Sequence, residues 1–202
     1  MIKLPNITLV CIDCINYESA TKAINQSIKG IEFGKVLFLS DKHIQSDDFD
    51  LIVIDKITSK EQYSYFMINS LVDYIDTNYC LIIQYDGYII NPDLWTDEFL
   101  NYDYIGAPWW YESLNVGNGG FSLRSKRLLL SVKETISSYY VGALHPEDDI
   151  ICRVLRPYLE DDYAIKFCNE TLAKQFSFEP NRINSSFQND TFGFHGVPSL
   201  IK

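Results

Sequence analysis

The chain has 202 residues, 47% of them hydrophobic and 14% aromatic, enough to fill one substantial core and too apolar for a disordered chain. A formal net charge of -10 speaks against nucleic-acid and anionic-membrane partners, which need basic patches. A protein this short of Lys and Arg would need a metal ion to offset a diphosphate ligand.

In chain order, Ile7 to Ile12 is a β-rich apolar run that ends at Asp13. From Tyr17 to Lys29 the residues Ala20, Ala23, Ile24, Ser27 and Ile28 fall on one stripe, which predicts an amphipathic helix. Lys35 to Leu39 reads as a second strand ending at Ser40-Asp41, and Leu51 to Ile54 as a third ending at Asp55. Tyr63, Phe66, Met67, Ser70, Leu71 and Tyr74 then recur at helical spacing between Ser59 and Tyr74. Tyr79 to Tyr85 is the most apolar run and stops at Asp86-Gly87. Such a run predicts a strand covered on both faces, as in a parallel sheet. Strands alternating with helices predict an α/β protein, and no repeat or linker divides residues 1–202, so one domain is expected.

Beyond Asp86, Asn91-Pro92 predicts the start of a short helix through Leu100. Tyr104 to Tyr111 reads as an irregular aromatic segment, and Gly117-Asn118-Gly119-Gly120 as a turn before a short strand, Phe121 to Leu123, and Arg124. Ser125 caps a predicted helix running to about Ile136. His145-Pro146-Glu147-Asp148-Asp149 opens another, with Ile150, Ile151, Val154, Leu155 and Tyr158 as its buried stripe. A polar segment, 181–190, precedes Thr191-Phe192-Gly193-Phe194-His195-Gly196.

Met1 to Pro5 leads straight into strand-like sequence without a secretory pattern, and no apolar run approaches the roughly 20 residues that span a bilayer. The five cysteines, Cys11, Cys14, Cys80, Cys152 and Cys168, sit in apolar segments, so buried reduced thiols and a cytoplasmic location are expected. Cys11 and Cys14 form a CxxC without a second pair, which is weak support for zinc or redox chemistry.

Five features could carry chemistry. Asp86 at a strand end is a capped turn or a ligand for a hard cation. His195, flanked by a glycine and a Phe-Gly-Phe, is its best partner for a metal. The Gly117 to Gly120 cluster matches neither a Rossmann fingerprint nor a P-loop; it is a tight turn or a place where a ligand lies against bare backbone. Trp109-Trp110-Tyr111 would suit stacking on a sugar or base, though aromatics more often fill cores. Glu147, Asp148 and Asp149 either complement a helix macrodipole or supply a general base, and a helix N-terminus should lower their pKa values.

Ile-Gln-Tyr-Asp-Gly-Tyr, Gly-Asn-Gly-Gly-Phe-Ser-Leu-Arg, His-Pro-Glu-Asp-Asp and Phe-Gly-Phe-His-Gly, in this order, resemble the GT-A class of nucleotide-sugar-dependent glycosyltransferases. Together with Leu4 to Val10 they resemble the small GT-A-like domains of bacteria and large DNA viruses. The resemblance implies a Rossmann-like, mostly parallel sheet flanked by helices. It implies transfer of a sugar from a nucleotide-diphosphate sugar, most commonly a UDP-sugar, to a glycan or other hydroxyl acceptor. In the DxD motif of that class Gln84-Tyr85-Asp86 has Gln where the first acid stands, so Asp86 carries over as ligand to Mn²⁺ or Mg²⁺ and Gln84 as a contact to ribose or sugar. His195 carries over as a second metal ligand, and Gly119 and Gly120 as part of the donor-sugar pocket. Asp148 carries over as the base of an inverting reaction, with Asp149 and Glu147 as its competitors. Asp13 and Asp41 would contact the nucleoside, and the 181–190 loop could close over it. A retaining transferase and a non-catalytic nucleotide- or carbohydrate-binding module are the rivals on the same fold. A haloacid-dehalogenase-type hydrolase is disfavoured, because Asp13-Cys14-Ile15 has one acid where two are needed.

Overall fold

A computed structural model describes residues 1–110, 113–180 and 190–196. Six strands form one sheet in the order β3-β2-β1-β4-β6-β5: β1 (Ile2–Ile12), β2 (Ile31–Ser40), β3 (Asp50–Val53), β4 (Tyr79–Ile83), β5 (Tyr104–Gly106) and β6 (Ser122–Ser125). β1 pairs in parallel with both β2 and β4, and β3 lies parallel to β2. β6 runs antiparallel to β4 and to β5.

The apolar runs are strands because both of their faces find cover. On β1, Ile7, Leu9 and Cys11 join one core cluster while Val10 and Ile12 join another. β4 divides in the same way, Leu81 and Ile83 to one face and Cys80 and Ile82 to the other. Helix α1 (Tyr17–Ser27) covers the first face with Ala20, Ala23 and Ile24. Helix α2 (Lys60–Asn69), continued by the 3-10 turn Leu71–Tyr74, covers the second with Met67 and Leu71. Helix α3 (Lys126–Tyr139) starts at Ser125, whose hydroxyl accepts the Leu128 N–H at 3.0 Å. It packs Leu128 and Val132 with Ile150, Ile151 and Leu155 into a third cluster.

From β1 the chain winds outward through β2 to β3, then returns across the sheet through α2 to place β4 on the other side of β1. The carboxyl ends of β1 and β4 therefore flank a topological switch point, where open α/β sheets bind ligands. Short strands β7 (Ser177–Phe178) and β8 (Gly193–Phe194) pair in parallel, and Gly193 also bridges to Ile89 beyond β4. This draws the C-terminal segment to the switch point.

Four expectations change. Tyr104–Gly106 is a strand, fully buried between β6 and the core, not an irregular segment. The helix expected at Asn91 to Leu100 is two 3-10 turns, Pro92–Leu94 and Asp97–Asn101, because Trp95 and Thr96 are extended. The helix expected from His145 is one turn, α4 (Glu147–Asp149), followed by a π turn at Ile150–Val154 and then α5 (Arg156–Tyr163). The π turn shifts the helical phase, so Ile150, Ile151 and Leu155 are buried while Val154 and Tyr158 are exposed. Helix α6 (Glu170–Phe176), capped by Asn169, was not anticipated. All five cysteines are buried and free, and among the described residues no helix is long and apolar enough to cross a membrane.

Candidate active site

A cleft of about 420 Å³ opens beyond the carboxyl ends of β1 and β4. One wall is the N-terminal end of α2, and the opposite wall is His145 to Asp148 with Asn118, Gly119 and Gly120. Gln84 and His195 close its floor. Asp13, Gln84, Gly119, Gly120, Glu147, Asp148 and His195 line it; Asp41, Asp86 and Asp149 do not.

Asp86 sits just behind that floor. Gly87 N–H returns to Gln84 C=O at 3.1 Å, a tight turn that swings Asp86 back under the strand end. Its Oδ1 is buried without a hydrogen-bond partner, although His195 Nε2 stands 3.4 Å away. His195 Nε2 is also 3.0 Å from Gln84 Oε1, and Gln84 in turn donates through Nε2 to the Tyr63 hydroxyl at 3.0 Å. The other ring nitrogen, Nδ1, is 3.0 Å from Glu179 Oε1. Burial disfavours the charged imidazolium, but Asp86 and Glu179 outweigh it and carry the His195 pKa up to about 9. The surroundings of this ring thus favour positive charge. Asp86 Oδ1, His195 Nε2 and Gln84 Oε1 are the atoms that could hold a cation. Among the described residues no group of three or more His, Cys, Asp and Glu side chains forms a metal cluster, because the third donor is an amide.

The three consecutive acids have three different surroundings. Glu147 is buried, with Oε1 at 3.3 Å from Arg124 Nη2 and Oε2 accepting from Ser64 Oγ at 3.3 Å. Arg124 is itself fully buried against the Tyr104 ring, so this pair is part of the core. Asp149 turns outward to Arg153 at 3.4 Å. Asp148 faces the cleft, accepting Gly119 N–H at 3.0 Å and Asp149 N–H at 2.9 Å. Its pKa goes up to about 6, against the lowering expected at a helix start. Burial is the main cause and the neighbouring Glu147 charge adds to it; Arg124 and the two N–H donors offset only part. A helix of one turn has little dipole to oppose them.

The glycines serve the protein's own side chains more than a ligand's approach. A Cβ on Gly120 would lie 2.1 Å from His195 Nε2, and one on Gly119 would lie 2.8 Å from both Arg124 Nη2 and Glu147 Oε1. Consecutive glycines therefore seat the histidine on one side and the acidic motif on the other. Asp13 caps the end of β1 by accepting the Ile15 and Asn16 N–H groups, and it borders the cleft. Asp41 accepts from the Tyr17 hydroxyl at 2.8 Å, which holds its carboxyl below the usual range. Trp109 packs over Gly117 and Trp110 is 49% exposed; neither lines the cleft. Tyr111 and positions 181–189 of the expected closing loop lie outside the described residues.

Sequence reasoning missed Glu179, Asn118, Tyr63 and Ser64, which hold the candidate side chains in place. Asn118 donates to Glu179 and accepts the Gly120 N–H at 3.1 Å. Tyr63 and Ser64, adjacent on α2, tie that helix to Gln84 and to Glu147 respectively. Only the buried Asn118 within the glycine cluster offered a local signal.

Among solved structures, the chain is similar to a glycosyltransferase involved in the glycosylation of the major capsid of PBCV-1, at 13% identity over 96% of each chain with a TM-score of 0.56. It is also similar to the apo form of the glycosyltransferase GlyE from Streptococcus pneumoniae TIGR4, at 13% identity over 77% of this chain and 43% of that one, with a TM-score of 0.44. The first likeness extends along nearly the whole chain and shows the fold: α/β of the GT-A kind, a mostly parallel six-stranded sheet flanked by helices. No curated protein matches the chain in sequence. A family described as "Protein of unknown function (DUF5672)" matches residues 48–195, which include Asp86, Asp148 and His195. That match covers most of the chain, which belongs to this family.

Proposed function

We propose that the protein is a metal-dependent glycosyltransferase that moves a sugar from a nucleotide-diphosphate sugar, of the UDP type, to an acceptor hydroxyl with inversion. The observation that carries this reading is the meeting, at one cleft by the switch point, of a raised-pKa aspartate and a histidine backed by a buried carboxylate oxygen that has no hydrogen-bond partner and only the His195 ring, 3.4 Å away, as its counter-charge. The fold shared with the PBCV-1 glycosyltransferase supports it.

Asp86 Oδ1, His195 Nε2 and Gln84 Oε1 form a donor set that fits Mn²⁺ or Mg²⁺, and the buried oxygen without a partner is the atom such an ion would satisfy. When bound, the ion supplies the positive charge that the leaving diphosphate needs. Gln84, held by Tyr63, orients the amide oxygen toward the histidine. Asp148 takes the proton from the acceptor hydroxyl as its oxygen bonds to the anomeric carbon, and the bond from that carbon to the diphosphate oxygen breaks with its electron pair. Gly119 N–H and Asp149 N–H fix the Asp148 carboxylate without neutralising it.

The test is turnover of a panel of nucleotide sugars with Mn²⁺, following release of nucleoside diphosphate and, by NMR, the anomeric configuration of the product. An inverted product that disappears in Asp148→Asn supports the reading. Retention of configuration removes the base from the mechanism. Binding without turnover under every donor and acceptor tried makes the protein a binding module.

A further inference from the structure

We propose that Glu179 is a positioning residue for the cation site, holding His195 so that Nε2 points at Asp86 Oδ1 and Gln84 Oε1. The inference rests on the metal reading above. Glu179 stands one residue beyond β7 and His195 one residue beyond β8, so the parallel pairing of Phe178 with Phe194 sets the two side by side. The His195 N–H donates to Phe178 C=O at 2.9 Å, which fixes the backbone from which the imidazole projects. Glu179 Oε1 then accepts from Nδ1 at 3.0 Å. A carboxylate can only accept, so Nδ1 carries a proton and Nε2 is the nitrogen turned toward Gln84 Oε1 and Asp86 Oδ1, from which a metal would displace the second proton.

Both oxygens of Glu179 are used. Oε2 accepts from Asn118 Nδ2, and Asn118 Oδ1 accepts the Gly120 N–H. Gly120 is the residue against which the imidazole lies, so the same chain of hydrogen bonds fixes the ring from its Nδ1 edge and sets the surface beneath it. Metal-binding histidines are held in this way by a carboxylate on the far nitrogen, and losing it commonly weakens metal binding about 10- to 100-fold.

The experiment is Mn²⁺ binding to the full chain, with and without UDP, followed by electron paramagnetic resonance of the free ion, together with the Tm of each variant. Glu179→Ala should weaken Mn²⁺ binding about 10- to 100-fold. Glu179→Gln should lose less, because its amide oxygen still accepts from Nδ1. Equal Mn²⁺ affinity in the wild type and both variants, even with a lower Tm, would mean that Glu179 only fastens the β7–β8 segment, and the proposal falls alone. Should Glu179→Ala not fold, unchanged affinity in Glu179→Leu, which fills the space but cannot accept from Nδ1, overturns it by itself. A wild type that binds no Mn²⁺ in either condition overturns this proposal and the metal reading together.

Discussion

Asp148 is a carboxyl whose acidity is set by its neighbours more than by its place at a helix start. Burial and Glu147 raise its pKa to about 6, and the base is the deprotonated form. Activity should therefore be low in acid and rise with pH, with kcat/KM falling about tenfold per unit below that value. Asp148→Asn should lower kcat about 10²- to 10⁴-fold while leaving nucleotide binding in place, and should remove the acid limb of the profile. A limb that persists in Asp148→Asn assigns the titration to another group. In the sequence, Asp148 was one of three adjacent acids, and only the family resemblance preferred it to Glu147 and Asp149. Their tertiary partners separate them: Arg124, 23 residues away, takes Glu147, while Arg153 takes Asp149. His195 and Asp86 stood out as candidates because a glycine-flanked histidine and a strand-end acid are local patterns. Glu179 was not, since its role exists only once β7 and β8 pair.

At the scale of elements, legibility followed the hydrophobic pattern. β1 and β4 are covered on both faces and announce themselves as continuous apolar runs, whereas β5 is three residues long and ends near Pro108, too brief for any period. Capping residues were better guides than periodicity. Ser59 and Ser125 each accept an N–H three residues on, where the expected helices begin. Ser125 does more than cap α3. Its hydroxyl donates to the buried Asp103 carboxylate at 2.7 Å, and Asp103 also holds Arg127 and the Lys166 N–H. Removing that hydroxyl strips a helix cap and a buried hydrogen bond at once. Ser125→Ala should thus cost about 2 kcal/mol, the upper end for a cap, read as a lower urea midpoint at unchanged m-value. The exposed Ser59→Ala should cost about 1 kcal/mol by the same measure. Equal costs would show that Asp103 gains nothing from the serine. The π turn after α4 left no mark in the sequence, because Ile150 to Val154 fits an ordinary helix residue by residue; the extra residue is needed only to bury Ile150, Ile151 and Leu155 together while Asp148 faces the cleft.

For the whole molecule, the sheet order and the charge act on the same site. Winding out to β3 and back to β4 opens a crevice between β1 and β4, and the chain delivers Asp13, Gln84 and, from the far C-terminal segment, His195 to its lining. That crevice belongs to a protein of charge -10, and among the described residues Lys60 is the one Lys or Arg that lines it. A nucleoside diphosphate entering alone would meet Asp13, Glu147 and Asp148, with Lys60 and the His195 ring, itself paired with Asp86 and Glu179, to balance its charge. In EDTA, UDP should therefore leave the Tm unchanged. With Mn²⁺ and UDP at about 100 times its Kd, binding to the folded state alone supplies about 2.7 kcal/mol, which for a chain of this size corresponds to about 5–10 °C. Asp86→Ala should erase that shift, because it removes a buried carboxylate oxygen at the site that has no hydrogen-bond partner among the described residues. A UDP-dependent shift of the same size in EDTA would mean that the cleft binds the diphosphate through its own N–H groups and Lys60, and the acidic character of the chain would then need another explanation.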